Sequence, residues 1–135
     1  MRLLIDANII LDVLQKRQPH YNDSSLIWKL CETEQEEGIV SVLTFANLVY
    51  VMRKELSPEQ IESVLAALRL IFRFEELNEF DLVHAATLGW DDFEDALQSV
   101  TAERIKADCI ITRNVRDFRK SRIAAFTPAE FLARR

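Results

Sequence analysis

The sequence has little of the residue types that build loops, disulfide scaffolds or histidine metal sites. Only 2 glycines and 3 prolines occur in 135 residues, so we expect helices rather than long loops to dominate. The 2 cysteines are too few for a disulfide scaffold, and they suit a reducing compartment as buried thiols. The 2 histidines lie far apart in the chain, which argues against a metal site built on imidazole.

Long apolar runs and the usual nucleotide-binding loops are missing as well. No run approaches the roughly 20 apolar residues of a membrane span, and Asp6 comes too early for a signal peptide. There is no GxGxxG, no phosphate loop ending in Lys-Ser/Thr and no GxSxG, which argues against dinucleotide, nucleoside triphosphate and ester-hydrolase chemistry. With 49% hydrophobic and 29% charged residues, the chain is predicted to form one cytoplasmic domain over residues 1–135.

The charge of the chain is negative overall but unevenly distributed. A net charge of −5 is unlike that of a generic nucleic-acid binder. Basic residues nevertheless gather in one segment, residues 104–122, and most of them directly follow the apolar run 109–112. They are Arg104, Lys106, Arg113, Arg116, Arg119, Lys120 and Arg122. Such a patch near the end of a strand can attract phosphate groups.

Short apolar runs alternate with amphipathic segments along the chain. The runs predict strands over 2–5, 39–42, 74–77, 109–112 and 123–126, with helices between them. Strands that alternate with helices imply right-handed crossovers and a parallel sheet. The predicted fold is a three-layer α/β/α sandwich around a mainly parallel sheet of four to five strands.

Individual residues predict several helix ends. Asn8 is expected to cap the first helix, and Gly38 to end a second helix over 19–37. Capping boxes at 57–60 and 127–130 each begin with Ser or Thr followed by proline, and each predicts a helix start. Trp28 and Trp90 are interpreted as core or subunit-contact residues in preference to base-stacking ones.

Acidic residues are predicted to converge at one edge of the sheet. Ligands of parallel α/β sheets bind beyond the carboxyl ends of the strands, where Asp6 follows the first strand and residues 112–118 follow the fourth. The segment 91–95 adds four acids at a helix start. In that helix Phe93, Leu97 and Val100 are expected to be buried, which leaves Asp92 and Asp95 on the accessible face.

This convergence predicts a metal site. The helix dipole favours acids at a helix start by about 0.3–1 kcal/mol each, but it does not account for Asp6. A lone carboxylate at the end of a buried strand is costly to desolvate, and several together raise one another's pKa unless a cation neutralises them. Mg²⁺ or Mn²⁺ is the expected ion, since both take carboxylate oxygens and keep waters for a phosphate substrate.

Three motifs resemble those of PIN domains. They are Asp6-Ala7-Asn8-Ile9-Ile10-Leu11-Asp12, Asp95-Ala96-Leu97-Gln98, and Ile110-Ile111-Thr112-Arg113-Asn114 with Asp117-Phe118. Their order and spacing extend over nearly the whole chain and are most similar to those of bacterial VapC-type toxins. The resemblance implies a metal-dependent ribonuclease, the toxin of a type II toxin–antitoxin module, usually dimeric and often held inactive by a cognate antitoxin.

The resemblance also implies which residues form the site. Asp6 and Asp95 match the first and third acidic positions, and the fourth falls on Asn114 or Asp117. The second position, a Glu after strand two, is occupied by Asn47 here, and Asp92 is the candidate that restores the missing charge.

These residues define an expected mechanism. The metal ligands are Asp6, Asp95 and Asp92, and Asp117 joins them in the catalytic set, so that a metal-activated water hydrolyses an RNA phosphodiester. Residues expected to orient the carboxylates or to contact phosphate are Asn8, Asn47, Thr112, Asn114, Arg113 and Arg116.

Three other functions remain open at this point, one of which is that the helices chiefly mediate oligomerisation and that nuclease activity is secondary. A PIN-like module that binds RNA or a partner protein without cleaving is favoured by Asn47. A haloacid-dehalogenase-like phosphatase also begins with an apolar strand ending in Asp, but its chemistry needs a second Asp where Asn8 stands.

Overall fold

Five strands and seven α-helices alternate along the chain in the computed structural model, which describes all residues from Met1 to Arg135. The strands are β1 (Arg2–Ile5), β2 (Glu37–Ser41), β3 (Arg73–Glu75), β4 (Cys109–Ile111) and β5 (Ala125–Phe126). The helices are α1 (Ala7–Leu14), α2 (Tyr21–Glu32), α3 (Val42–Met52), α4 (Pro58–Ile71), α5 (Glu79–Thr87), α6 (Phe93–Arg104) and α7 (Pro128–Arg134). A short 3-10 helix at Val115–Phe118 follows β4. None of the helices is long and apolar enough to cross a membrane.

The five strands form one sheet with the order β3-β2-β1-β4-β5. Every neighbouring pair is parallel, and the central β1 pairs on both sides, Leu4 with Ile39 of β2 and Leu4 with Ile110 of β4. The predicted mainly parallel sheet is thus confirmed with five strands. Since all strands run in one direction, their carboxyl ends meet along a single edge.

The two faces of the sheet carry separate apolar clusters. Leu3 and Ile5 of β1 pack on one side with residues of α1, α2, α3, α4 and α7. Leu4 points to the other side, where it packs with Ile110 and with Ala102 of α6. This alternation follows from the two-residue period of a strand. The predicted three layers are therefore present, and β1 is buried on both faces.

Two predicted helix ends near β1 and β2 are wrong. Asp6, rather than Asn8, caps α1, because its carboxylate accepts from the backbone N–H of Ala7. The second helix ends at Glu32 instead of residue 37, and Gly38 lies inside β2. A Cβ atom on Gly38 would lie 2.6 Å from the Cys31 Sγ and 2.7 Å from Phe72 Cδ1. The glycine therefore permits close packing rather than ending a helix.

One further boundary and one predicted burial differ from the structure. Val42 belongs to α3 and not to the second strand, because Ser41 caps that helix by accepting from the N–H of Thr44. Phe93 is exposed, although Leu97 and Val100 are buried as expected. Phe93 is the first residue of α6, and the buried residues of this helix begin only at Ala96.

Candidate active site

Asp6 lies directly after β1, at the carboxyl edge of the sheet. One carboxylate oxygen, Oδ1, accepts from the N–H of Ala7 at 2.8 Å, and the other, Oδ2, accepts from the hydroxyl of Thr112 at 2.8 Å. Burial raises the pKa of Asp6, although the Thr112 and Ala7 hydrogen bonds partly oppose this effect. Both oxygens are thus held in place, and the two hydrogen bonds offset part of the cost of burying the charge.

Thr112 connects the ends of β1 and β4. Its buried side chain donates to Asp6 and accepts from the backbone N–H of Asn114 at 3.1 Å. Asn114 contributes its backbone to this arrangement, while its side chain is exposed. The structure therefore places Thr112 beside Asp6, as expected from the positions of the two residues at the ends of neighbouring strands.

Further carboxylates act on Asp95 in the first turn of α6. The Asp95 N–H donates to Asp92, which caps the helix at 3.1 Å. The pKa of Asp95 is raised to about 6, first by burial and then by repulsion from Asp92, Asp117, Asp6 and Glu94. Acids from three separate parts of the chain thus influence one side chain.

A divalent cation fits the chemistry of this group. Mutual repulsion among carboxylates is relieved by a cation, and oxygen donors of this kind suit Mg²⁺ or Mn²⁺. No three Asp, Glu, His or Cys side chains are already gathered closely enough to hold a metal ion together. An ion held by one or two carboxylates, with waters and substrate phosphate as its other ligands, needs no such cage.

Asn47 contacts an acid that the sequence analysis did not select. Its Nδ2 donates to Oε2 of Glu94 at 3.2 Å, so a carboxylate lies beside the amide at this position. Asp92, the residue expected to restore the missing charge, uses one oxygen to cap α6. Glu94 was not predicted as a site residue because the helix dipole already accounts for an acid in the first turn of a helix.

Asp12 is a second residue that the sequence analysis left out. It is fully buried on α1, and its Oδ2 accepts from the hydroxyl of Ser24 at 3.0 Å. The Nε of Arg113 lies 3.3 Å from the same oxygen, and the Arg113 side chain is 25% exposed. Arg113 was expected to contact the RNA backbone; here it forms an ion pair inside the protein. The signal available in the sequence was one charged residue after the apolar run Ile9-Ile10-Leu11.

A cleft opens beside these carboxylates, between the start of α6 and the segment after β4. It encloses about 150 Å³ and is lined by Trp90, Asp91, Asp92, Asp95, Arg116, Asp117, Arg119 and Lys120. Of the predicted residues, Arg116 and three acids line it. Asp6 and Asn8 do not line it, and the Asn8 side chain accepts from Arg17, beyond the end of α1, at 3.5 Å. Arg119 and Lys120 line the cleft although the sequence analysis placed them only in the basic segment.

The family model for the PIN domain matches residues 2–116. The fold is also similar to solved structures. A toxin–antitoxin complex from Klebsiella pneumoniae contains a chain that is 20% identical, with a TM-score of 0.72 over 93% of this chain and 97% of that one. VapBC2 from Rickettsia felis, bound to a DNA fragment from its promoter, gives 17% identity and a TM-score of 0.73 over 94% and 98%. VapC20 from Mycobacterium tuberculosis, a toxin that cleaves the Sarcin-Ricin loop, is 12% identical, with a TM-score of 0.63 over 80% of this chain and 86% of that one. No curated protein matches this chain in sequence.

Proposed function

The chain belongs to the PIN domain family, and on that premise we propose that it is a Mg²⁺- or Mn²⁺-dependent endoribonuclease, the toxin of a toxin–antitoxin module. The observation that carries the proposal is the meeting of acids at the carboxyl edge of the sheet. Thr112 holds Asp6 there at 2.8 Å, and repulsion from Asp92, Asp117, Asp6 and Glu94 adds to burial in raising the pKa of Asp95 to about 6. Acids that meet in this way can hold the ion in metal-dependent phosphodiester hydrolysis.

In the proposed mechanism, Asp6 and Asp95 hold the ion and Asp92 contributes directly or through water. When bound, Mg²⁺ or Mn²⁺ lowers the pKa of a coordinated water and polarises the phosphoryl oxygen. Thr112 keeps the Asp6 carboxylate in a fixed orientation through its 2.8 Å hydrogen bond. Asp117 acts on the same group of acids from the segment after β4.

The basic residues on the cleft supply the substrate contacts. Arg116, Arg119 and Lys120 line it opposite the acids of α6, and all three are exposed. They hold the phosphates that flank the scissile bond, while the acids remain free for the metal. Because Arg113 is paired with Asp12, it takes part by positioning the segment after β4 rather than by gripping RNA.

The test is calorimetric titration of Mn²⁺ into the wild type and into Asp6→Asn and Asp95→Asn. We expect saturable binding by the wild type that both variants lose, and metal-dependent cleavage of RNA by the wild type alone. Asp23→Asn, an exposed acid on α2 outside the site, is the charge-matched control and should bind as the wild type does. Binding retained in both site variants would refute the assignment of the ligands.

A second function is favoured by one observation. Asn47 stands where the resemblance places an acid, and it is already paired with Glu94. A domain that binds RNA without cleaving it would bind RNA in a separate calorimetric titration but would show neither Mn²⁺ binding nor cleavage. A domain that binds only a partner protein would show none of the three.

Partners are proposed on the same grounds. The similar structures from Klebsiella pneumoniae and Rickettsia felis are toxin–antitoxin complexes, so we expect a cognate antitoxin for this chain. Phe80, Leu82 and Val83 expose apolar side chains on α5, which suits a homodimer contact. A ribonuclease of this kind would act in the cytoplasm. Light scattering would measure the dimer, and co-expression with a neighbouring small gene product would test the antitoxin.

A further inference from the structure

Trp90 is the one apolar residue among the eight that line the cleft. The other seven are charged, and they are the four acids Asp91, Asp92, Asp95 and Asp117 and the three basic residues Arg116, Arg119 and Lys120. Trp90 is partly exposed, so it presents some of its indole to the cleft. Removing the exposed part of the indole from water would be favourable, so this surface is a candidate contact for an apolar part of a ligand.

The indole is held in place by the core on its far side. Trp90 packs against the clusters on both the α6 side of the sheet and the α5–α6 contact. Its ring lies 6.4 Å from that of Phe118, at an interplanar angle of 72°, an edge-to-face arrangement. The segment that carries it turns at Gly89, whose φ of +67° favours glycine. The ring is therefore set before any ligand arrives.

We propose that Trp90 is a base-stacking residue, on which one unpaired nucleobase next to the scissile phosphate of a single-stranded RNA stacks. This inference rests on the proposed ribonuclease function and adds to it the residue that contacts a base.

Two features of the cleft and one property of RNA helices support a nucleotide with an unpaired base. A volume of about 150 Å³ has room for one aromatic ring, since an engineered cavity of that volume takes up benzene. Arg116, Arg119 and Lys120 line the same cleft as Trp90, so their positive charges are placed to attract the phosphates on either side of that base. Bases inside an A-form helix are not open to stacking on a side chain, so the arrangement selects single strands or loops.

The experiment compares two oligoribonucleotides on the full chain carrying Asp6→Asn, which prevents cleavage. One is a short single-stranded RNA, and the other has the same backbone without bases at its central positions. Affinity is measured by fluorescence anisotropy for the parent and for Trp90→Phe, Trp90→Leu and the control Trp28→Phe. Trp28 is the only other tryptophan and lies away from the cleft, against Phe72.

We expect Trp90→Leu to weaken binding of the normal RNA by about tenfold, the loss of one stacked base, and to leave the abasic strand unaffected. Trp90→Phe should retain most of the affinity, and Trp28→Phe all of it. In the Trp28→Phe protein, whose fluorescence comes from Trp90, the normal RNA should quench the emission and the abasic strand should not. This second readout holds even if Trp90→Leu folds poorly.

The outcomes separate the two proposals. Equal affinity for the normal and abasic strands in the parent, or binding without quenching, would overturn the role of Trp90 and leave the ribonuclease proposal standing. Failure of both strands to bind would overturn RNA as the substrate, and the stacking role with it. Tighter binding of a duplex than of the single strand would also contradict the inference.

Discussion

Arg113 and Asp12 form an ion pair that joins the segment after β4 to the buried face of α1, with 3.3 Å between Arg113 Nε and Asp12 Oδ2. Asp12 has no exposure to solvent, and its second oxygen, Oδ1, has no hydrogen-bond partner. Arg113 immediately follows Thr112, the residue that holds Asp6. The pair therefore fixes the segment that orients Asp6, the first of the proposed metal ligands.

Removing the charge of Asp12 should destabilise the protein. In Asp12→Asn the guanidinium of Arg113 loses its counter-ion, and we expect a loss of about 2 kcal/mol in the free energy of unfolding, less than for a fully buried pair because Arg113 is partly exposed. Urea denaturation of the two single variants and of Asp12→Asn with Arg113→Gln measures the coupling. Additive losses in this cycle would show that the pair contributes nothing.

Neutralising Asp6 should separate stability from function. Asn in this position keeps an oxygen for the Ala7 N–H or for the Thr112 hydroxyl, and it removes a charge whose burial is costly. We expect Asp6→Asn to change the free energy of unfolding by less than about 1 kcal/mol while Mn²⁺ binding and RNA cleavage are lost. Thermal denaturation beside calorimetry checks both parts. An unfolded variant would mean that the charge itself maintains the strand ends.

The pKa of Asp95 predicts a pH-dependent stability of the metal-free protein. Because the folded-state pKa is raised from 3.8 to about 6, the folded protein binds this proton more tightly than the unfolded chain. The resulting destabilisation is fully present above pH 6 and disappears as the pH falls towards 3.8. Asp95→Asn should therefore raise the melting temperature in chelator at about pH 7.5, and by much less at about pH 4.5.

Glu62→Gln, an exposed acid on α4 outside the site, serves as the control for that comparison. Added Mn²⁺ should stabilise the wild type at the higher pH and leave Asp95→Asn unchanged. A melting temperature of Asp95→Asn that stays below that of the wild type at both pH values would contradict the assigned repulsion.

Glu94 and Asp92 compete for the role of the acid that Asn47 lacks. The hydrogen bond from Asn47 favours Glu94, so Glu94→Gln should weaken Mn²⁺ binding by about tenfold, as removal of a supporting carboxylate does elsewhere. Asp92→Asn keeps an oxygen for the α6 cap and should weaken it less. Calorimetry measures the Mn²⁺ affinity of both variants. If Asp92→Asn weakens binding more than Glu94→Gln does, Asp92 is the acid that replaces the missing charge.

Local sequence signals predicted most of the fold. The capping boxes at Ser57 and Thr127 form as expected, because each needs only residues three positions apart. The strands next to Asp6 and Thr112 were predicted from apolar runs that need no knowledge of their partners. The family assignment rested on motifs around these same strand ends, and the match over residues 2–116 confirms it.

The features that sequence analysis missed depend on contacts between distant residues. Gly38 was predicted to end a helix because glycine has a flexible backbone. In the structure it lies in β2, where Cys31 and Phe72 pack too closely to leave room for a Cβ atom. Asp12 becomes meaningful only beside Arg113, and Glu94 only beside Asn47. None of these pairs is adjacent in the chain, so no local pattern could have identified them.

The central place of β1 in the sheet also determines when the site can first exist. Asp6 meets its partner Thr112 across 106 positions of chain, and β1 lies between β2, which is made early, and β4, which is made late. At translation rates of about 5–20 residues per second, roughly 5–20 s pass between synthesis of the two residues. A nascent chain on the ribosome therefore carries an incomplete site until most of the domain has been produced.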